Sequence, residues 1–429
     1  MHARMGSDVL TGPPRAERAR DAATLTIVLA GAALLPLIVV PGASDSFRLP
    51  KELFVRAEAI LIVAATLIAW IFGTPLPRFS WRDRSMAVPL AAIVVFALLT
   101  ALSNRPMISA SALATAVATF IIFWATVAVA KTRRWLLVAV PLGSAAANAI
   151  LVVLEETRIW MPFGEQPGIT HHLQCAALIG NPNEVGSYLG AALIGGLALM
   201  VARRGRRTMP AIGVAILLAG LVASRTLTAA VAFGAGAMLM LALGSWRTAL
   251  RAALAGLVAA LLLAALVAPL RQRAANMMLW VRSGDYNALL TERLTPFISA
   301  YGMFKDHPLT GVGPGAFAWH YYDYKLRAEM RITGLRAAYN RGTHYGQVHD
   351  DHLQVLAEGG LIGYAAFLAS LVALASLSFA TRNVFVRRMA APLALYWIVL
   401  SFAQFPLETA VVRALLIHFA ALAVAWRDD

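Results

Sequence analysis

Residues 348–363 read VHDDHLQVLAEGGLIG and join a long polar segment to a long apolar one. Four ionisable residues, His349 to His352, come directly before an apolar run that begins at Leu353. The length of that run predicts a membrane-spanning helix. Because ionisable groups at the rim of a bilayer are costly and often functional, this boundary is the first candidate site.

The composition extends this interpretation to the whole chain. Hydrophobic residues make up 59% and charged residues 14% of the 429 residues, and the mean hydropathy is +0.69, which is too apolar for an ordinary soluble domain. The net charge of +15 does not indicate nucleic acid, because the basic residues form short clusters between apolar runs, as the positive-inside rule describes. The single Cys175 excludes an internal disulfide.

The apolar runs predict an all-α, polytopic inner-membrane protein with about twelve transmembrane helices. The expected spans are 23–41, 53–72, 86–102, 113–130, 135–154, 185–202, 210–223, 227–243, 252–268, 353–380, 390–405 and 411–426.

Basic clusters in alternate connections orient these spans with both termini in the cytoplasm. The clusters are Arg78/Arg82/Arg84, Lys131/Arg133/Arg134, Arg203/Arg204/Arg206/Arg207, Arg247/Arg251 and Arg382/Arg387/Arg388. The first run has full spanning length without an obvious cleavage site, so we expect an uncleaved first helix. The chain then divides into nine helices in 1–268, a large, partly helical periplasmic loop in 269–352, and three helices in 353–429.

The loop of residues 269–352 carries ten basic and five acidic residues before its final His-Asp cluster. Such a charge favours an anionic partner, although attachment to anionic lipid headgroups explains it as well. Its stretch Phe317 to Arg331 is helix-like, with aromatic residues suited to an interface.

Three interpretations apply to His349, Asp350, Asp351 and His352. Two His residues with neighbouring carboxylates could bind a metal ion, but no third His or Cys group stands nearby in the sequence. A His beside a carboxylate can accept a proton near neutral pH. Asp350 or Asp351 could instead cap the following helix, which is compatible with a catalytic His349.

Arg225 lies in a three-residue connection, Ser224 to Thr226, on the predicted outer side. A guanidinium there either anchors to lipid headgroups or holds a phosphate with its planar fork. Several cations on the same side would together form a pyrophosphate site; the other candidates are Arg48, Lys51, Arg293 and Arg413.

Two glycine-containing segments predict turns. Gly311 to Gly315 has neither a following Walker lysine nor a preceding Rossmann strand, so we interpret it as a turn that folds the loop back, not as a nucleotide site. Gly180 to Glu184 predicts a turn before a helix. Its Asn183 and Glu184 could face a sugar or cap that helix.

Together these segments resemble the O-antigen ligase and polymerase superfamily of bacterial envelope enzymes, and its O-antigen ligase branch most closely. The matching segments are Gly180 to Asn183, Ser224-Arg225, Arg293, Lys305 to Phe317, and His349 to Gly363. They cover the second half of the chain, whereas the first five helices match only in pattern. One departure is Asp350, where the family usually has Asn or Ser.

The resemblance implies glycan transfer from undecaprenyl pyrophosphate to lipid A-core on the periplasmic face of the inner membrane, with no cofactor, metal or nucleotide. We expect His349 as general base, and Arg225 and Arg293 on the pyrophosphate, helped by Arg48, Lys51 or Arg413. Asp350, Asp351, His352, Asn183 and Glu184 are possible supporting residues. A polymerase or a protein O-oligosaccharyltransferase of the same superfamily is the alternative, and a lipid-linked glycan transporter is the alternative of another class.

Overall fold

A computed structural model describes residues 15–76, 84–165, 168–203, 205–266, 268–291, 293–331 and 344–428. Within these ranges the protein is all-helical, as predicted. The predicted cytoplasmic tail before residue 15 and five of the basic residues, Arg78, Arg82, Arg204, Arg336 and Arg341, lie outside them.

The described helices follow one another along the chain. Their bounds are α1 Arg15–Leu34, which continues as a 3-10 turn at Leu35–Leu37, α2 Arg48–Ile71, α3 Arg84–Ala101, α4 Pro106–Val129, α5 Arg134–Glu156, α6 His171–Gln174, α7 Pro182–Ala202, α8 Thr208–Ala223, α9 Leu227–Ala242, α10 Trp246–Leu266, α11 Ala268–Ser283, α12 Tyr286–Leu289, α13 Leu294–Asp306, α14 Phe317–Arg331, α15 Asp351–Ala380, α16 Val384–Ser401 and α17 Ala410–Ala425.

The protein is a multi-pass membrane protein. Among the residues placed by the structure, seven helices are long and apolar enough to cross a bilayer, namely α1 with its 3-10 turn, α2, α4, α5, α7, α15 and α16. Four shorter apolar helices lie in α3, α8, α9 and α17. The predicted total of about twelve spans, the three-part division of the chain and the periplasmic position of the loop stay predictions.

Helix α7 forms the centre of the bundle and is buried along most of its length. Its small residues allow close approach: a Cβ on Gly190 would meet the Tyr396 hydroxyl, and one on Gly195 would meet the Phe419 ring. Since lipid tails are as apolar as the helices, such close packing and interhelical hydrogen bonds drive helix association in a membrane. The Tyr396 hydroxyl donates such a bond to the Ser187 carbonyl oxygen.

Two described residues of the basic clusters lie where helix ends contact each other. The Arg203 guanidinium lies 5.0 Å from the Trp135 ring centroid, and the Arg388 guanidinium donates to the Met240 carbonyl oxygen at 2.7 Å. The predicted site residues lie at the opposite helix ends, where α2, α7, α15 and α17 begin. This arrangement is the one expected from the alternating basic clusters.

Helix α15 is broken at Gly360, and the turn of residues 308–315 packs against the break. Gly360 has φ +58° and ψ −159°. The amides of Val312 and Gly313 donate to the carbonyl oxygens of Ala357 and Glu358, at 2.9 and 3.0 Å. In return, the Leu361 amide donates to the Pro308 carbonyl oxygen at 2.9 Å. The glycine-rich stretch is therefore the turn predicted from the sequence, and backbone hydrogen bonds attach it to the broken helix.

The Glu358 side chain completes this attachment. Its buried carboxylate accepts hydrogen bonds from the amides of Gly315, at 2.8 Å, and Phe317, at 3.1 Å. These amides lie at the start of α14, where a carboxylate satisfies free backbone donors. Helix α14 has the bounds predicted for the aromatic stretch, but Phe317 and Tyr321 are buried and only some of its aromatic side chains, such as Trp319, face outward.

We predict that Gly360→Ala prevents this packing. A Cβ there would lie 2.3 Å from the Leu309 carbonyl carbon, and its φ/ψ combination is nearly exclusive to glycine, at a cost of about 1–3 kcal/mol in strain alone. The variant should show a clearly lower thermal unfolding midpoint in detergent, or a lower yield of monodisperse protein. Gly143→Ala, which meets no atom within 4 Å, is the control. Equal midpoints for the two variants would contradict the prediction.

Candidate active site

His349 lies at the junction between the polar loop and α15, and the residues that follow it hold the junction in place. Asp350 caps α15, since its Oδ1 accepts from the Leu353 amide at 2.9 Å. This confirms the capping interpretation for Asp350. The buried Asp351 instead accepts from the Leu407 amide at 2.9 Å and so ties α15 to the connection between α16 and α17.

The His349 backbone has φ +64°, which is unusual for a residue other than glycine. Its ring packs edge-on against Phe405, with ring centroids 4.7 Å apart, and against Tyr345, at 6.0 Å. The Nδ1 atom is buried without a hydrogen-bond partner. A strained backbone and an unsatisfied ring nitrogen are typical of functional sites, where the surrounding structure compensates for their cost.

Two guanidinium groups lie close to this imidazole. Arg293 begins α13 and donates from Nη1 to the Ala403 carbonyl oxygen at 2.8 Å. The Arg48 guanidinium lies 5.2 Å from the centroid of the Phe405 ring, the ring that also contacts His349. Burial, followed by the positive charges of Arg293 and Arg48, lowers the pKa of His349 to about 4. The imidazole is therefore neutral at physiological pH and able to accept a proton.

The connection between α16 and α17, residues 402–409, forms one wall of this site and was missed in the sequence analysis. It supplies Phe405 and the backbone groups of Ala403 and Leu407. Its exposed Glu408 lies within the electrostatic influence of Arg48 and Arg413. This short apolar connection shows no sequence pattern of a site, because its contribution is mostly backbone atoms and one ring.

Arg225 is positioned next to the start of α7. It has φ +50°, and its exposed guanidinium forms an ion pair with Glu156 at the end of α5. The neighbouring Thr226 hydroxyl donates to the Pro182 carbonyl oxygen at 3.0 Å. Two residues further along α7, Glu184 pairs with Arg48, whose Nε donates at 2.9 Å. Arg225 and Arg48 thus flank the same helix start, while the charges acting on His349 are those of Arg293 and Arg48.

Lys51 and Arg413 are engaged in internal contacts. The buried Lys51 ammonium donates to the carbonyl oxygens of Ile38, Phe47 and Leu178 at 2.8, 3.1 and 2.8 Å. Arg413, one turn inside α17, pairs with Glu52 at 2.7 Å. These contacts satisfy cations at membrane depth. Both side chains thus have partners within the protein, as Arg48 and Arg225 also have, and their contact with a pyrophosphate stays a prediction.

The remaining predicted residues support the helices around the site. Asn181, not Asn183, caps α7, since its side chain accepts from the Asn183 amide at 2.8 Å. His352 uses both ring nitrogens: Nε2 lies 3.0 Å from the Ile398 carbonyl oxygen, and Nδ1 lies 3.2 Å from the Tyr364 hydroxyl. His352 thus joins α15 to α16, and His349 is the histidine with a nitrogen left for chemistry.

An apolar cavity of about 310 Å³ lies next to this region. It is lined mainly by side chains of α3, α4, α15 and α17, and Arg413 and Leu407 also border it. Since Arg413 donates to the Leu407 carbonyl oxygen, the cavity adjoins the connection that forms the site wall. An elongated apolar group could occupy the cavity while its polar end lay near the arginines.

We predict that His349 titrates well below an ordinary histidine. Histidine ¹⁵N NMR in detergent should show its ring neutral at pH 5.5, with the signal assigned by its loss in His349→Gln. Because the Arg293 charge contributes to the lowered pKa, Arg293→Ala should raise it. Arg282→Ala, an exposed arginine in α11, should leave it unchanged. A midpoint near 6.5 in the unsubstituted protein would contradict the assignment.

Comparison with known proteins adds one result. The family model described as O-antigen ligase matches residues 212–368. The matched region runs from α8 into α15 and includes Arg225, Arg293, the turn of residues 308–315 and His349. A comparison with curated proteins gives no match for the chain.

Proposed function

Because the family model described as O-antigen ligase matches residues 212–368, we propose that the chain belongs to the O-antigen ligase and polymerase superfamily and is an O-antigen ligase. It transfers O-antigen polysaccharide from undecaprenyl pyrophosphate to lipid A-core in the periplasmic leaflet of the inner membrane. One observation carries the proposal: the His349 ring, with Nδ1 buried and unsatisfied, packs against Phe405. Arg48 lies 5.2 Å from that ring, and Arg293 donates to the same connection at Ala403.

The donor chemistry fits these surroundings. A polyprenyl chain needs an apolar groove open to lipid, and the cavity between α3, α4, α15 and α17 provides one. A pyrophosphate needs cations in a partly desolvated place, and planar guanidiniums hold two phosphate oxygens at once. Arg293 and Arg48 supply this charge beside His349, and Arg225 adds a third guanidinium across the start of α7.

The reaction is a single inverting displacement. The His349 imidazole accepts the proton of an acceptor hydroxyl as that oxygen attacks the anomeric carbon of the donor sugar. The bond between that carbon and the pyrophosphate oxygen breaks, and undecaprenyl pyrophosphate leaves with the electron pair. Arg293, Arg48 and Arg225 stabilise the charge that develops on the leaving group. No metal takes part at the reacting centre.

The low pKa of His349 suits this role in one respect. A general base must be unprotonated before it acts, and the lowered pKa keeps His349 neutral throughout the physiological range. The electrostatic cause is the same pair of arginines that face the pyrophosphate. Binding of the dianionic donor offsets their charge, so the imidazole becomes a stronger base when substrate is present.

We expect substitutions at these residues to lower kcat/KM far more than matched control substitutions do. His349→Ala should reduce kcat/KM by about 10²–10⁴, and Arg293→Ala or Arg48→Ala by about 10². Arg225→Ala should also lower kcat/KM far more than Arg206→Ala, which lies in the basic cluster after α7. His344→Ala is the control for histidine. Size exclusion checks that each variant is monodisperse. Full activity of the His349→Ala variant would contradict a catalytic role for His349.

The acceptor is tested by reconstitution. Purified protein in detergent, given lipid-linked O-antigen and lipid A-core, should produce ligated lipopolysaccharide that is visible as a shifted ladder on a gel. Elongation of the lipid-linked glycan without ligation would identify a polymerase. Glycan transfer to protein would identify a protein O-oligosaccharyltransferase, and movement of the donor across liposomes without any transfer would identify a transporter.

Gene deletion provides an independent check in cells. Loss of the ligase should leave lipid A-core without O-antigen while lipid-linked polymer accumulates. A lipid A-core that carries single repeat units would instead indicate loss of a polymerase and contradict the proposal.

A further inference from the structure

A second polar cluster lies on the other side of the α7 start, in the connection between α5 and α7. Glu156, His171 and Cys175 each offer one ligand atom, and these atoms all lie within 4.8 Å of one another. His172 is next to them, with its Nδ1 atom 3.7 Å from Glu156 Oε2. None of these four side chains belongs to the set predicted from the sequence.

Three atoms of this cluster are buried without a hydrogen-bond partner: Glu156 Oε2, His171 Nδ1 and His172 Nδ1. Buried polar atoms nearly always have partners, so several unsatisfied atoms together indicate a missing ligand. Glu156 Oε2 and His172 Nδ1 can donate electron pairs to a bound ion, whereas a His171 that binds through Nε2 leaves its Nδ1 proton facing Glu165. A bound cation satisfies such atoms, whereas an anion does not.

We propose that Glu156, His171, His172 and Cys175 bind a divalent transition-metal ion of the zinc type. Nitrogen, thiolate and carboxylate ligands in a group of four are typical of tetrahedral zinc. Bonds of about 2.0–2.3 Å to such an ion keep the ligand atoms roughly 3.3–3.6 Å apart. The Cys175 Sγ to His171 Nε2 distance of 3.6 Å and the His172 to Glu156 distance of 3.7 Å are close to these values.

The surroundings of the cluster support the same ligand. His171 directs Nε2 towards Cys175, and its Nδ1 lies 3.5 Å from the Glu165 carboxylate. A carboxylate behind a metal-binding histidine is the usual way in which the ring is oriented. The neighbouring Glu155 carboxylate accepts from the Ala177 amide at 2.8 Å. Binding of the ion displaces the Cys175 thiol proton to solvent, as metal coordination by cysteine requires.

The ion has a specific consequence for the neighbouring arginine. Glu156 uses Oε1 to pair with Arg225, while Oε2 is the unsatisfied atom. An ion bound to Oε2 would therefore fix the position of the Glu156 carboxylate, and this carboxylate in turn positions the Arg225 guanidinium. The metal site is a positioning site for the short connection that contains Arg225, and it is separate from the reacting centre at His349. Only this consequence depends on the proposed function, and metal binding itself does not.

Metal content tests the proposal directly, on full-length protein purified in detergent without substrate. After incubation with zinc and dialysis, elemental analysis should find about one zinc ion per chain. Zinc retention should disappear in His171→Ala and Cys175→Ser, and Glu165→Gln should weaken binding by about 10- to 100-fold. His344→Ala, outside the cluster, should bind zinc normally. Size-exclusion profiles of all variants verify that they fold.

Cobalt(II) gives a spectroscopic test that does not depend on stoichiometry. Cys175 is the single cysteine of the chain, so a thiolate-to-cobalt charge-transfer band can arise only there. The band and tetrahedral d–d absorption should appear in the unsubstituted protein and the band should vanish in Cys175→Ser. Absence of both from the unsubstituted protein, or zinc retention that is unchanged in His171→Ala and Cys175→Ser, would overturn the proposal. Either result leaves the glycosyl-transfer test unaffected.

Discussion

The structure depends on the break in α15 at Gly360. A continuous helix would have no free backbone groups at this position. The break frees backbone groups before and after Gly360, and residues 308–313 form hydrogen bonds with both sets. Glu358 extends the attachment to the start of α14. In a membrane, backbone groups released from a helix must find partners within the protein, so the break and the turn require each other. This mutual requirement explains why both segments contain glycine at the points of contact.

The attachment has a functional consequence because it fixes the loop to the helix that begins at His349. Arg293 precedes α13 and contacts the wall formed by the connection between α16 and α17. Helices α13 and α14 pack against each other and against α15. A residue of the loop and a residue at the rim of a membrane helix are thereby held in one site, although 55 residues separate them in the sequence.

Several cations at this end of the bundle have partners within the protein. Arg413 has Glu52, Lys51 has three carbonyl oxygens, and Arg48 has Glu184. His349 Nδ1 and the atoms around Glu156 and His171 lack such partners. Because an unsatisfied buried polar atom costs about 1–3 kcal/mol, its presence is best explained by a ligand or a reaction. Arg225 pairs with Glu156 of the second cluster, and its neighbour Thr226 donates to the start of α7.

The sequence by itself determined the membrane class, the approximate helix positions, the turn at residues 311–315, the cap at Asp350 and His349 as the central candidate. These follow from local properties: hydropathy over about 20 residues, backbone preferences of glycine, and the capping chemistry of aspartate. Only the tertiary structure decided which cations meet His349. The positive charges that act on it are those of Arg48 and Arg293, although Arg48, like Arg413, is also paired with a carboxylate. No sequence pattern indicated the wall at Phe405 or the cluster around Cys175. The partner of a charged group depends on helix packing across distances that no local pattern encodes, and this is the physical reason for the difference.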